Sequence, residues 1–178
     1  MSIGRFYAIL FAKFTLLIRC GIAAQSKEMR LARLTPSSVL KTIARIALGG
    51  ILLLIGIGHL TTQRQEFGAQ VPPWLPLDPD FVVVASGIAE ITLGAALIAL
   101  PRYRVPIGWI VAAFFVTVFP GNISQYLNRT DGLGMDSDRA RLIRLFFQPV
   151  LIAWALWSTG AWTAWRDRAR VPQATRNE

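Results

Sequence analysis

The apolar residues of this chain are grouped in long blocks rather than alternating with polar residues. Four blocks have the length that a helix needs to cross the hydrocarbon core of a bilayer, roughly 20 residues. They cover residues 39–60, 81–100, 105–122 and 142–163. A buried helix of a soluble bundle shows a polar face that recurs about every 3.6 residues, and these blocks lack one. The pattern therefore predicts an all-α fold, with a four-helix transmembrane bundle within residues 37–166.

The segments between the blocks have the composition of short loops. Residues 71–76 are rich in proline, which cannot continue a helix, and residues 101–104 form a tight basic hairpin. Residues 128–138 are a polar loop with glycines and aspartates. The chain becomes basic and polar after Trp165, and we expect residues 167–178 to be a disordered cytoplasmic tail.

Residues 1–36 form a basic and apolar extension that the pattern leaves open. Residues 3–24 are apolar enough for a fifth span, but Lys13 and Arg19 interrupt them and point to different sides of a helix. A secretory signal peptide is a second interpretation, although Lys13 splits its apolar region. A third is that the native chain starts at Met29. We favour an interfacial or non-native extension over a true span.

The charge of the chain bears on its orientation. A net charge of +9 and a pI near 11.0 would by themselves suggest nucleic acid or anionic lipid as a partner. From Lys27 onward, however, eleven Lys and Arg residues fall on one side of a four-span topology and five on the other. Because basic residues collect in short cytoplasmic loops, we expect both termini in the cytoplasm and a multi-pass protein of the inner (cytoplasmic) membrane. The tail arginines lack interleaved aromatics, so we expect no nucleic-acid partner.

The residue types that carry most cofactor chemistry are scarce in this sequence. The single cysteine, Cys20, excludes an internal disulfide, and the single histidine, His59, excludes a bis-histidine haem and the usual zinc sites. No serine nucleophile elbow or glycine-rich phosphate loop is present. We therefore expect no metal site and no cofactor intrinsic to the chain.

Glu90 is the most informative residue, because an ionisable group at the centre of a transmembrane helix costs about 2.5–3.5 kcal/mol. At the rise of an α-helix it lies about 14 Å from the outer end of the second span. Ser86 and Gly87 share its helix face, and such a small, polar face predicts packing against another helix. The other spans also carry polar residues in the outer half; these are His59, Asn122, Arg144 and Gln148. Their convergence predicts a polar cavity open toward the outer face, with Glu90 as its floor.

The predicted depths bear on how these residues meet. His59 and Glu90 differ in depth by about 10 Å, so we expect a water molecule or ligand between them rather than a direct contact. We also expect Pro120 to end or kink the third helix beside Asn122. Structural interpretations stay open, with Glu90 as a protonated group that locks the bundle and His59 as an interfacial histidine.

Four short motifs resemble those of the DoxX-like family of small bacterial integral membrane proteins. They are GIGH at residues 56–59, VPPWLP at 71–76, SGIAEI at 86–91 and FPGNI at 119–123. The resemblance covers residues 39–162 and implies four membrane helices with both ends inside. Named members of that family are associated with membrane redox complexes, including a subunit of a thiosulfate:quinone oxidoreductase, and most relatives have no assigned activity.

The resemblance implies a subunit without its own cofactor in a quinone-linked redox system. Its cavity would accept a quinone headgroup or dock a partner subunit, with Glu90 exchanging a proton and His59, Asn122 and Gln148 as hydrogen-bonding groups. Two alternatives belong to other classes: a small-solute or proton-linked transporter, and a non-catalytic membrane scaffold. The expected partners are the lipid bilayer and redox subunits, and the sequence is compatible with a homo-oligomer.

Overall fold

A computed structural model describes residues 36–132, 134 and 137–174, and their side chains as far as residue 169. Within this part of the chain all regular elements are helical and no strand occurs, which confirms the predicted all-α class. The α-helices are α1 (Pro36–Leu60), α2 (Arg64–Gly68), α3 (Pro79–Ala99), α4 (Arg104–Leu127), α5 (Asp138–Ser158) and α6 (Ala161–Ala174). A 3-10 turn at Pro101–Tyr103 precedes α4. The predicted extension, except Pro36, lies outside the described residues.

Four helices are long and apolar enough to cross a membrane, namely α1, α3, α5 and the combined stretch Pro101–Leu127. Large apolar side chains cover their outer faces; Leu54 is 72% exposed and Phe146 is 70% exposed. Soluble proteins rarely expose apolar surface on this scale. These faces contact lipid, and the chain is a multi-pass membrane protein with the predicted four-helix bundle.

Local sequence accounts for several helix ends. Asp78 caps α3, because its carboxylate accepts a hydrogen bond of 3.0 Å from the backbone N–H of Phe81, and Pro79 occupies the first turn. Helix α5 ends at Ser158, and Gly160 has a φ of +76°, which lies in the left-handed region that commonly terminates helices. The reversal at Gly160 separates α5 from α6.

Helix α4 extends further than the sequence predicts. It continues through Pro120 to Leu127, whereas the predicted span ends at residue 122. Proline removes one intrahelical hydrogen bond but does not prevent helical backbone on either side of it. Beyond the proline, Ser124 and Gln125 are buried, so tertiary packing holds the additional turns in place.

The predicted fourth span is divided, and the tail differs from its prediction. The interval 142–163 contains the end of α5 and the start of α6, and α6 continues to Ala174. Residues 167–174 are therefore helical rather than disordered, while residues 175–178 lie outside the described part of the chain. The rings of Trp162 and Trp165 pack 5.2 Å apart on α6, a contact that favours the helical backbone.

Helices α1 and α3 run antiparallel and touch through paired glycines. A Cβ added to Gly56 would lie 2.7 Å from the carbonyl oxygen of Gly87. One added to Gly94 would lie 2.6 Å from the carbonyl oxygen of Gly49. Real Cβ atoms do not approach other atoms this closely, so only glycine permits this distance between the two backbones. The predicted packing of the Glu90 face against another helix is confirmed.

The two halves of the bundle differ in their filling. One half is packed with buried apolar side chains, which are Leu48, Leu52, Leu97, Ile107, Val111, Phe115 and Ala155. In that half the indole N–H of Trp154 donates a 3.1 Å hydrogen bond to the carbonyl oxygen of Ala44, which ties α5 to α1. The polar groups collect where α1 and α4 finish and α3 and α5 begin, and we call this the cavity end.

The glycine contact predicts opposite effects for two similar substitutions on α1. Gly56→Ala should destabilise the protein by about 1–3 kcal/mol, because its Cβ overpacks against α3. Gly50→Ala is the matched control, since a Cβ there meets nothing within 4 Å. It should be neutral or stabilising, because alanine favours a helix more than glycine does. Thermal unfolding of both variants in one detergent measures the difference, and equal losses would contradict the packing described here.

Candidate functional site

A cavity of about 780 Å³ lies at the cavity end, between the long helices and the loop that joins α2 to α3. Most of its lining is apolar, including Leu52, Trp74, Val118 and Leu151, so the prediction of a polar cavity is wrong for the lining as a whole. All six candidate residues from the sequence line it, namely His59, Ser86, Glu90, Asn122, Arg144 and Gln148. Its volume falls within the range of roughly 300–1,000 Å³ that is typical of small-molecule sites.

His59 and Glu90 form a buried pair at this cavity. His59 Nδ1 lies 2.7 Å from Glu90 Oε2, within hydrogen-bond distance, and the two residues are 6% and 8% exposed. Among the described residues, Glu90 has no other hydrogen-bonding partner. The expectation of a water molecule or ligand between the two side chains is therefore wrong.

The direction of the side chains explains this contact. A Cβ added to Gly87 would lie 2.7 Å from the Cβ of His59, and one added to Gly56 would lie 3.0 Å from the Cβ of Glu90, so both side chains start at the same helix contact. On an α-helix, side chains tilt toward the N-terminus. In the antiparallel pair, His59 therefore tilts into the bundle and Glu90 tilts toward the cavity end, so they meet although their backbones are at different depths.

Phe67 covers this pair from α2. Its ring centroid lies 3.5 Å from that of His59, with a 37° angle between the ring planes, and the residue is 6% exposed. The contact shields one face of the imidazole from water. Phe67 was not predicted from the sequence. It is the only aromatic residue in the polar segment TTQRQEFG, residues 61–68, and this isolation could have marked it as a buried residue.

Asn122 and Gln148 connect α4 to α5 beside the cavity. Asn122 Nδ2 donates a 3.0 Å hydrogen bond to Gln148 Oε1, and Gln148 Nε2 donates one of 2.8 Å to the carbonyl oxygen of Phe115. Both amide side chains are buried. Ser86 donates to the carbonyl oxygen of Val83 in its own helix at 2.9 Å, so its hydroxyl proton is already engaged.

The loop between α2 and α3 supplies a cavity residue that sequence reasoning missed. Gln70 Oε1 accepts a 2.7 Å hydrogen bond from Arg144, which also interacts electrostatically with Glu90. The carbonyl oxygen of Gln70 would lie 2.6 Å from a Cβ at Gly121, so the loop rests directly on the α4 backbone. Gln70 Nε2 is buried and has no partner within the described structure. The described chain therefore leaves this donor beside the cavity unused.

Arg141 organises the cavity end next to this site. It is 5% exposed, donates a 2.7 Å hydrogen bond to Asp138 and also pairs with Asp131. Its Nε donates to the carbonyl oxygen of Thr130 at 3.4 Å. These contacts fix the loop between α4 and α5 to the first turn of α5. Among residues 36–132, 134 and 137–174, no group of three or more His, Cys, Asp or Glu side chains is placed to hold a metal ion.

The fold and the cavity define a multi-pass helical membrane protein with a mainly apolar cavity at one end. The chain belongs to the family described as "Domain of unknown function (DUF8561)", whose sequence model matches residues 48–159. The match begins within α1, ends just after α5 and includes all six candidate cavity residues. No curated protein and no solved structure matches the chain.

The His59–Glu90 contact predicts strong coupling between the two side chains. His59→Gln and Glu90→Gln should each destabilise the protein by about 3–5 kcal/mol if a buried charge loses its partner, and by less if the pair is neutral. The free energy of unfolding of the double variant should fall by less than the sum of the decreases in the two single variants. A double-mutant cycle by unfolding in detergent measures this coupling. The exposed pair Arg64–Asp80 is the control and should show little coupling; additive losses at His59 and Glu90 would contradict the pairing.

Proposed function

We propose that the protein is a membrane subunit of a quinone-linked redox system that binds a quinone in the cavity. The observation that carries the proposal is the buried His59–Glu90 pair, which lines a mainly apolar cavity. A quinone matches both properties, because its ring and tail are apolar while its oxygens are confined to the headgroup. The cavity volume of about 780 Å³ is sufficient for a molecule of drug-like size.

The polar side chains have complementary roles toward such a headgroup. An oxidised quinone accepts hydrogen bonds through its carbonyl oxygens, and Gln70 Nε2 and Arg144 are donors at the cavity. A reduced quinone has hydroxyl groups whose protons must be delivered and removed. Imidazole and carboxyl groups can both carry a proton, so the His59–Glu90 pair is suited to hold or release one beside the bound ring.

A role in electron transfer requires a partner subunit. The chain has one cysteine and one histidine, and the proposal assigns it no electron carrier of its own. Electrons would enter or leave the quinone through a cofactor on the partner. The resemblance of the motifs to the DoxX-like family supports this association with a redox complex.

The other two functions are less well supported by the arrangement of the bundle. A transporter needs access from both sides, and buried Leu97, Ile107 and Val111 fill the half of the bundle away from the cavity. A scaffold would use the polar groups only to hold helices together, and it gives no role to the unpartnered Gln70 Nε2. The following experiment separates ligand binding from a purely structural role.

Quinone binding should depend on Glu90. We expect the protein, purified in mild detergent, to retain quinone that can be extracted and quantified, and to bind a short-chain quinone analogue after delipidation. Glu90→Gln should weaken binding of the analogue at least tenfold, and Gln70→Leu should weaken it less. Glu66→Gln is the matched control, because Glu66 is exposed on α2 and outside the cavity. A wild-type protein that binds no quinone in any of several detergents would overturn the proposal. Unchanged binding by a folded Glu90→Gln variant would overturn the role of Glu90 at the quinone site.

We also propose that the cavity end faces away from the cytoplasm, with both termini inside and the protein in the inner membrane. Thr62 lies at the cavity end and Arg102 lies at the opposite end, and both residues are exposed. Each is replaced by cysteine in a separate variant, Thr62→Cys or Arg102→Cys. With Cys20→Ser as background, a membrane-impermeant maleimide should label Thr62→Cys in intact cells and Arg102→Cys only after lysis. Labelling of Arg102→Cys in intact cells and of Thr62→Cys only after lysis would show that the cavity end faces the cytoplasm, and would overturn this orientation.

A further inference from the structure

Arg45 is a buried cation in the half of the bundle away from the cavity. It is 5% exposed, and its Nη1 atom is enclosed without a hydrogen-bond partner. Among the described residues no hydrogen bond or ion pair reaches any part of its guanidinium. An unpaired buried charge is strongly unfavourable, so the partner of Arg45 is expected to come from outside the described chain.

The register of α1 against α3 places Arg45 near the end of α3. Gly49 lies opposite Gly94, so Arg45, one turn earlier on α1, lies level with residue 98 in the last turn of α3. The 3-10 turn at Pro101–Tyr103 then leads to Arg104, which interacts repulsively with Arg45. Lys41 precedes Arg45 by four residues and shares its helix face. These three residues, Lys41, Arg45 and Arg104, form what we call the basic cluster.

The chain offers little negative charge to balance the basic cluster. Within residues 36–132, 134 and 137–174, the acidic side chains lie at the cavity end or in the cavity, except for Asp167 on α6. No ion pair joins Asp167 to the cluster. A guanidinium with free donors beside two further cations is suited to a phosphate group, which accepts several charge-assisted hydrogen bonds.

Two tryptophans indicate the depth of the basic cluster in the membrane. Trp162 and Trp165 lie on α6, which follows α5 at the same end of the bundle, and each is 45% exposed. Half-exposed tryptophans collect at the level of the lipid headgroups. Phosphate at that depth belongs to phospholipids, and basic pockets between membrane helices bind anionic headgroups.

We propose that Lys41, Arg45 and Arg104 form a binding site for the phosphate group of an anionic phospholipid. The site lies at the end of the bundle opposite the cavity, and it is independent of the proposed quinone site. Bound lipid supplies the acceptor oxygens that Arg45 lacks within the described chain. The lipid would hold the start of α1 to the turn between α3 and α4.

The test uses the delipidated full chain in detergent with defined additions. Phosphatidylglycerol should raise the melting temperature by several degrees and remain bound in native mass spectrometry, whereas phosphatidylcholine should do neither. Inorganic phosphate at the same concentration should have little effect. An equal shift in melting temperature with inorganic phosphate would indicate a free anion as the ligand and overturn the assignment to lipid. Equal shifts with phosphatidylglycerol and phosphatidylcholine would show that no site specific for anionic lipid exists.

Substitutions locate the effect within the basic cluster. Arg45→Met should abolish the shift caused by phosphatidylglycerol, and without lipid it should be at least as stable as the wild type, because the unpaired charge is gone. Arg104→Gln should weaken lipid binding at least threefold and serves as a second variant if Arg45→Met does not fold. The matched control is Arg102→Gln, which removes an exposed charge from the same turn. An equal loss in Arg102→Gln would indicate general attraction to a charged surface and overturn the site.

Discussion

The close contact between α1 and α3 is the constraint on which the rest of the structure depends. At Gly56 and Gly87 the two backbones are separated by less space than a single Cβ would need. This contact fixes the axial register of the helices, and the register decides that His59 reaches Glu90. A slip of one turn would move the two side chains about 5 Å apart and leave a buried carboxyl group without its partner. The glycines therefore position the chemistry although they take no part in it.

A second principle is that every polar group within a membrane must find a partner, because lipid supplies none. His59 pairs with Glu90, and Asn122 pairs with Gln148, so most polar side chains of the cavity end satisfy one another. Two buried groups do not follow this rule within the described chain: the Nε2 atom of Gln70 and the Nη1 atom of Arg45. They lie in opposite halves of the bundle, with the apolar core between them. Unused donors at these two places are the physical basis for proposing one ligand in the cavity and another at the opposite membrane surface.

Part of the candidate site was predictable from the sequence, because a polar residue in an apolar block is conspicuous. Glu90 and Gln148 stand out in this way, and helical rise placed both in the same half of the bundle. Phe67 and Gln70 do not stand out, because they occur in a loop where aromatic and polar residues are common. The direct contact of His59 with Glu90 was also missed. An estimate of depth from the helical rise takes no account of the tilt of side chains, and it does not show which helices are neighbours.

The sequence by itself determined that this is a membrane protein with four spanning helices. Blocks of about 20 apolar residues have few other stable environments than a bilayer, and this follows from length and composition alone. Only the tertiary structure decided that α4 continues through Pro120 and that α6 forms after Gly160. It also decided which polar groups satisfy one another and which are left without partners. The physical reason is that these outcomes depend on contacts between residues far apart in the chain, whose distances are set by how closely the helices pack.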